Sequence, residues 1–133
     1  MVRRSAGALA PALVAFAVFG YLAVAPEYYH LRWLRGAAGD ATFLRKAYSL
    51  AAFTVTGFFL AMAQRKAPGD PSVLRVATLV ALFSAAIEIA QRFAGSHESL
   101  TSNAVDVGFG AAGGALGAAA ERALATYCKR CIR

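Results

Sequence analysis

The sequence predicts an all-α fold, an integral membrane bundle of about four transmembrane helices. Three observations carry that expectation. Only 16% of the 133 residues are charged against 59% hydrophobic. Mean hydropathy is +0.52. Four long apolar runs divide the chain, each near the length that crosses a hydrocarbon core. Such a composition excludes a disordered tail, a disulfide-stapled secreted module and a large multidomain enzyme. The whole chain, 1–133, reads as a single transmembrane helical domain with short basic cytoplasmic termini.

The first run, Ala6 to Ala25, has no charge and one proline, Pro11. At 1.5 Å per residue it covers about 30 Å. Arg3, Arg4 and the Ala23-Val24-Ala25 triplet also suit a signal peptide. Its length and the following Pro26 favour a retained helix. The second run, Ala47 to Ala63, is bracketed by Arg45-Lys46 and Gln64-Arg65-Lys66. Pro68, Gly69 and Pro71 then end any helix. The third run is Val73 to Phe93, with Arg75 near its start, where it can snorkel, and Glu88 near its end. The fourth, Ala104 to Ala120, is almost wholly Ala, Gly, Val, Leu and Phe, with Asp106 as its one charge.

Net charge is +7, from 14 Lys and Arg against 7 Asp and Glu. In a membrane chain these cations set orientation. No basic motif with interleaved aromatics points to nucleic acid, so no nucleic-acid partner is expected. A four-helix arrangement puts Arg3, Arg4, Arg65, Lys66, Arg75, Arg122, Lys129, Arg130 and Arg133 on one side. It puts Arg32, Arg35, Arg45, Lys46 and Arg92 on the other. The richer side is expected in the cytoplasm, with both termini and the second loop. The first outer loop, Pro26 to Arg35, brings Tyr28, Tyr29 and Trp33 beside basic residues, an aromatic belt at headgroup level or a short segment touching anionic lipid.

Cys128 and Cys131 lie in a basic juxtamembrane tail and read as reduced thiols open to palmitoylation. A zinc site needs two more ligands, and His30 and His97 fall on the other face, so no metal and no cofactor is expected.

Polar chemistry concentrates at the outer end of the third and fourth helices. Glu88, Gln91 and Arg92 stand at i, i+3 and i+4 on one helical face. A carboxylate at membrane depth is costly unless it meets a partner or water, so Glu88 should face the bundle interior. Asp106 heads a small-residue stripe of Gly110, Gly113, Gly114 and Gly117, whose small-xxx-small spacing lets a neighbouring backbone approach. Glu88, Gln91, Arg92 and Asp106 are expected to form one polar cluster, with Asn103, one turn before Asp106, supplying a further amide.

The pattern Glu88-Ile89-Ala90-Gln91, a short loop, then Asp106 with glycines at Gly113 and Gly117 resembles the VanZ-like family of small membrane proteins. That family shows E-x-x-Q closing one helix and D-x-x-x-N-x-x-G-x-x-x-G opening the next. The likeness covers about the C-terminal third of the chain. The family's Asn falls on Gly110, and its upstream K-x-x-H puts Lys on Lys46 but Ser49 in place of His. The resemblance implies a bacterial inner-membrane protein linked to teicoplanin-type glycopeptide resistance and cell-envelope biology.

Two functions follow. In the first, the protein is a non-enzymatic envelope component, resident in the lipid bilayer, whose polar cluster binds a lipid headgroup, a lipid-linked envelope precursor or a partner helix. In the second, it is a small intramembrane enzyme acting on a lipid-phosphate or glycan substrate, with Glu88 or Asp106 as general base and Arg92 and His97 holding charge. The chain has no nucleophile triad, HExxH or phosphate-cradling Walker motif, which favours binding.

Overall fold

The computed structural model describes residues 6–24, 40–65, 72–94 and 99–131. These form four helices and no strands: α1 Ala6–Val24, α2 Asp40–Gln64, α3 Val73–Phe93 and α4 Leu100–Cys131. The bounds of α3 coincide with the apolar run. Those of α2 and α4 do not. Lys and Arg end an apolar run but are good helix formers, so α2 begins at Asp40 and carries Lys46 inside the helix. At the start of α4, Ser99 Oγ accepts the Ser102 amide at 3.2 Å, and the Ser99 carbonyl accepts the Asn103 amide at 3.1 Å. From that cap α4 continues for 32 residues and absorbs the cysteine tail.

Among the described residues, two helices meet the length and hydropathy of a membrane span: α2 over Lys46–Gln64 and α3 over Val73–Phe93. The expectation of four such helices is therefore met in part. α1 carries no charge over its 19 residues, Ala6–Val24, and is interrupted by Pro11. In α4, glycine together with Asp106 and Glu121 dilutes the hydropathy.

Packing centres on α4, which lies against α2 and α3, while α1 rests more lightly on α2 and α3. The α2–α4 seam is parallel and in constant register, with Lys46 opposite Asp106, Phe53 opposite Gly113 and Gly57 opposite Gly117. Against α3, α4 runs antiparallel, because Gly110 meets Ser84 while Gly114 meets Ala77 and Val80. The seams depend on missing side chains. A Cβ on Gly117 would lie 2.2 Å from the Thr54 carbonyl oxygen, and one on Gly113 would lie 2.6 Å from Phe53 Cβ. One on Gly110 would lie 2.6 Å from Ser84 Cβ. The glycine stripe read from sequence thus serves two neighbours: Gly113 and Gly117 admit α2, Gly110 and Gly114 admit α3.

The apolar core is small, drawn from Phe53, Ala61, Val76, Val80, Ile87 and Ala118. Buried with it are polar side chains, Thr56, Ser84, Asp106 and Glu121. Thr56 returns its hydroxyl to the Ala52 carbonyl at 2.8 Å, which satisfies it within its own helix. Large apolar side chains face outward instead, among them Leu13, Leu74, Leu82, Phe93 and Leu116.

Phe83 anchors α1. Its ring meets Phe16 edge-on at 4.3 Å between centroids and also approaches Phe53 at 6.4 Å. Aromatic pairs of this geometry contribute about 0.5–1.5 kcal/mol beyond area burial, so Phe83→Leu should lower stability by about 1 kcal/mol. Thermal unfolding in detergent measures it, and an unchanged midpoint would mean that these rings do not hold α1.

Candidate functional site

Asp106 occupies the second turn of α4, where its side chain turns into the bundle and is 11% exposed. Opposite it, Lys46 sits inside α2, and the Lys46 ammonium donates to Asp106 Oδ1 in an ion pair. The third helix closes the site, since Ser84 Oγ donates to the Asp106 backbone carbonyl at 3.0 Å. Three helices therefore meet at one residue. An ammonium and a carboxylate removed from water in this way each need the other, because either one alone would be a buried unpaired charge.

One turn further along α3 stands Glu88. The Asn103 side-chain amide, oriented by the acceptors around it, donates to Glu88 Oε2 and to the Ser99 carbonyl, each at 3.1 Å. The amide expected from Asn103 is present, and it goes to Glu88. Gln91 turns another way: its Nε2 donates to the Ala23 carbonyl at 2.8 Å, satisfying an acceptor in the last turn of α1. Arg92 is exposed and makes no hydrogen bond or ion pair to a described residue. Its long side chain, placed near the end of α3, reaches outward.

The five candidate residues thus share one end of the bundle, each with a contact or exposure seen among the described residues. Asp106 is held by Lys46 and Ser84, Glu88 meets Asn103, Gln91 ties α3 to α1, and Arg92 faces out. The sequence reading paired the carboxylates with Gln91 and Arg92, their nearest donors in sequence, whereas Lys46 on another helix takes Asp106. Lys46 flanks an apolar run and on composition alone looks like a topology charge. The one sequence signal for it was the Lys position of the K-x-x-H pattern.

A second ion pair went unread from sequence. Arg65, just past α2, donates through Nη2 to Glu121 Oε2 at 2.8 Å, and the Glu121 side chain is buried. The two pairs join the same two helices at opposite ends. Between Asp106 and Glu121 the rise along α4 is about 22 Å, and between Lys46 and Arg65 along α2 about 28 Å. Among the described residues no group of three or more His, Cys, Asp or Glu could hold a metal ion. The loop residues His30, Trp33, His97 and Glu98 lie outside the described residues.

No protein-family model matches the chain, and no curated protein or solved structure matches it either. Fold and contacts define the class: among the described residues, an all-α arrangement of four helices, two of them long and apolar enough to cross a membrane.

Proposed function

We propose that this is a multi-pass protein of the bacterial inner membrane, VanZ-like, with both termini in the cytoplasm. In this reading it is a non-enzymatic envelope component that uses the polar end of its bundle to hold a lipid headgroup or a lipid-linked envelope precursor. The observation that carries the reading is where the large apolar side chains lie. Polar groups at Lys46–Asp106, Ser84, Thr56 and Glu121 share a small interior with Phe53, Val76, Val80 and Ile87, while many large apolar side chains cover the outside. Only 28% of the α2 span and 22% of the α3 span are buried within the bundle. In water that much apolar surface would drive association; in lipid it is the solvated face.

Charge supports the orientation. Arg65, Arg75, Arg122 and Arg130 gather at the end away from Asp106, and a cytoplasmic position for them follows the positive-inside rule. The Lys46–Asp106 end then faces outward, as a site for an envelope lipid requires. Both carboxylates there already hold partners, which favours binding over general-base chemistry. The family resemblance supports a link to glycopeptide resistance.

The test uses the protein in nanodiscs of phosphatidylethanolamine and phosphatidylglycerol, followed by native mass spectrometry after release. The wild type should retain phospholipid, preferring the anionic one. Arg92→Gln should lower that retention several-fold without shifting the unfolding midpoint, since Arg92 is an exposed cation at that end among the described residues. Equal retention by both proteins would remove the headgroup site, and release of the protein from membranes by alkaline carbonate would remove the embedded bundle.

A further inference from the structure

We propose that Cys128 and Cys131 form a two-thiolate site for a soft, thiophilic metal cation of the cuprous class, carried on the exposed end of α4. Both residues lie on that continuous helix, and both thiols are free and exposed. Their i, i+3 spacing puts them on one face, a turn apart, with exposed Leu124 and Tyr127 beside them. They stand about 10 and 15 Å beyond Glu121 along the helix axis, clear of the seams that hold the bundle.

Helix geometry selects among the chemistries open to two thiols. Residues at i and i+3 hold their Cβ atoms about 5–6 Å apart. A disulfide needs about 3.5–4.5 Å between Cβ atoms, so it would have to draw the pair together from that helical spacing. A bridging metal fits without that change. With a metal–sulfur bond of about 2.3 Å, two sulfurs on one ion stand about 3.7–4.6 Å apart, which side chains on the 5–6 Å frame reach by rotation about χ1.

Ligand number then selects the ion. Zinc in a structural site takes four ligands, and no cluster of three or more His, Cys, Asp or Glu able to hold a metal occurs among the described residues. Thiolates are soft donors and select cuprous ion, which accepts two of them. Binding converts two thiols and one monovalent cation into a bis-thiolate complex of charge −1 and releases two protons.

The full-length protein in detergent, reduced and under argon, is titrated with cuprous ion against bicinchoninate. One ion per chain should bind, with two protons released per ion in weakly buffered solution. Cys128→Ser and Cys131→Ser should each lower the affinity on the order of 100-fold or more, because the second donor acts at high effective concentration. Neither exposed substitution touches the bundle, so circular dichroism and the unfolding midpoint should stay at wild-type values. Two independent ions per chain, or single variants that keep the affinity, would show two separate thiols and overturn the chelate. Half an ion per chain with dimerisation, or tight zinc binding by a pair of chains, would replace it with a four-thiolate site between copies.

Discussion

Gly117→Ala is expected to destabilise the bundle by about 3 kcal/mol or more, at or above the top of the range for overpacking a well-packed interior. The added Cβ would stand 2.2 Å from the Thr54 carbonyl oxygen, 2.4 Å from the Phe58 nitrogen and 2.8 Å from the Gly57 carbonyl carbon. All three are backbone atoms of α2, so no side-chain rotation can relieve the clash and the helices must separate. Gly108→Ala makes the informative contrast, because nothing lies within 4 Å of its added methyl. Exchanging glycine for alanine in an open helix position gains about 1 kcal/mol of helix propensity. The same chemical change should therefore move the two unfolding midpoints in opposite directions in detergent. Gly113→Ala should behave like Gly117→Ala, since its methyl would meet the Phe53 Cβ and the Thr54 nitrogen. If Gly117→Ala and Gly108→Ala unfold alike, the α2–α4 seam is not a close backbone contact.

What the sequence disclosed, and what it did not, follows from the range over which each feature acts. α3 was legible to its ends because a turn-rich stretch precedes it and a single apolar run fills it, both local signals. α4 was legible as a glycine-lined helix but not as one reaching Cys131, since hydropathy marks where a helix stops being apolar rather than where it stops. The stripe Gly110, Gly113, Gly114 and Gly117 was also read locally, as one seam. On a helix the Gly110–Gly114 line and the Gly113–Gly117 line are displaced around the axis, so a stripe that wide meets two neighbours. Periodicity shows that small residues share a side and is silent about how many helices approach it.

Partner choice was the least legible feature. Glu88 and Arg92 have the spacing of an intrahelical pair, yet Glu88 meets Asn103 on another helix and Arg92 points outward. Lys46 and Asp106 are separated by 60 positions, and only parallel packing of α2 on α4 brings them together. The same packing makes the Arg65–Glu121 pair at the far end. A loop between helices hides such a register, because its length bounds how far the chain can reach and does not set which turns face each other.

Breaking the Lys46–Asp106 pair one side at a time should cost about 3–5 kcal/mol in either direction, because each single change leaves the opposite charge buried without its partner. Lys46→Met removes the ammonium and keeps much of the side-chain volume. Asp106→Leu removes the carboxylate. Making both changes together removes both charges, and replacing a buried ion pair by apolar residues of similar volume is often close to neutral. The double variant should therefore lie within about 1–2 kcal/mol of wild type, giving a coupling energy of several kcal/mol from the four-protein cycle. Ser84 sharpens the interpretation. Its hydroxyl donates to the Asp106 backbone carbonyl, which every variant retains, so the α3 contact stays constant around the cycle. Each protein is unfolded in mixed micelles with increasing SDS and followed by circular dichroism. Strong coupling would mean that Lys46 neutralises a carboxylate that the bundle could not otherwise bury. Additive single effects would mean that water or headgroups reach the two charges separately, and Asp106 would then be an exposed acid at the mouth of the bundle rather than the residue on which α2, α3 and α4 converge.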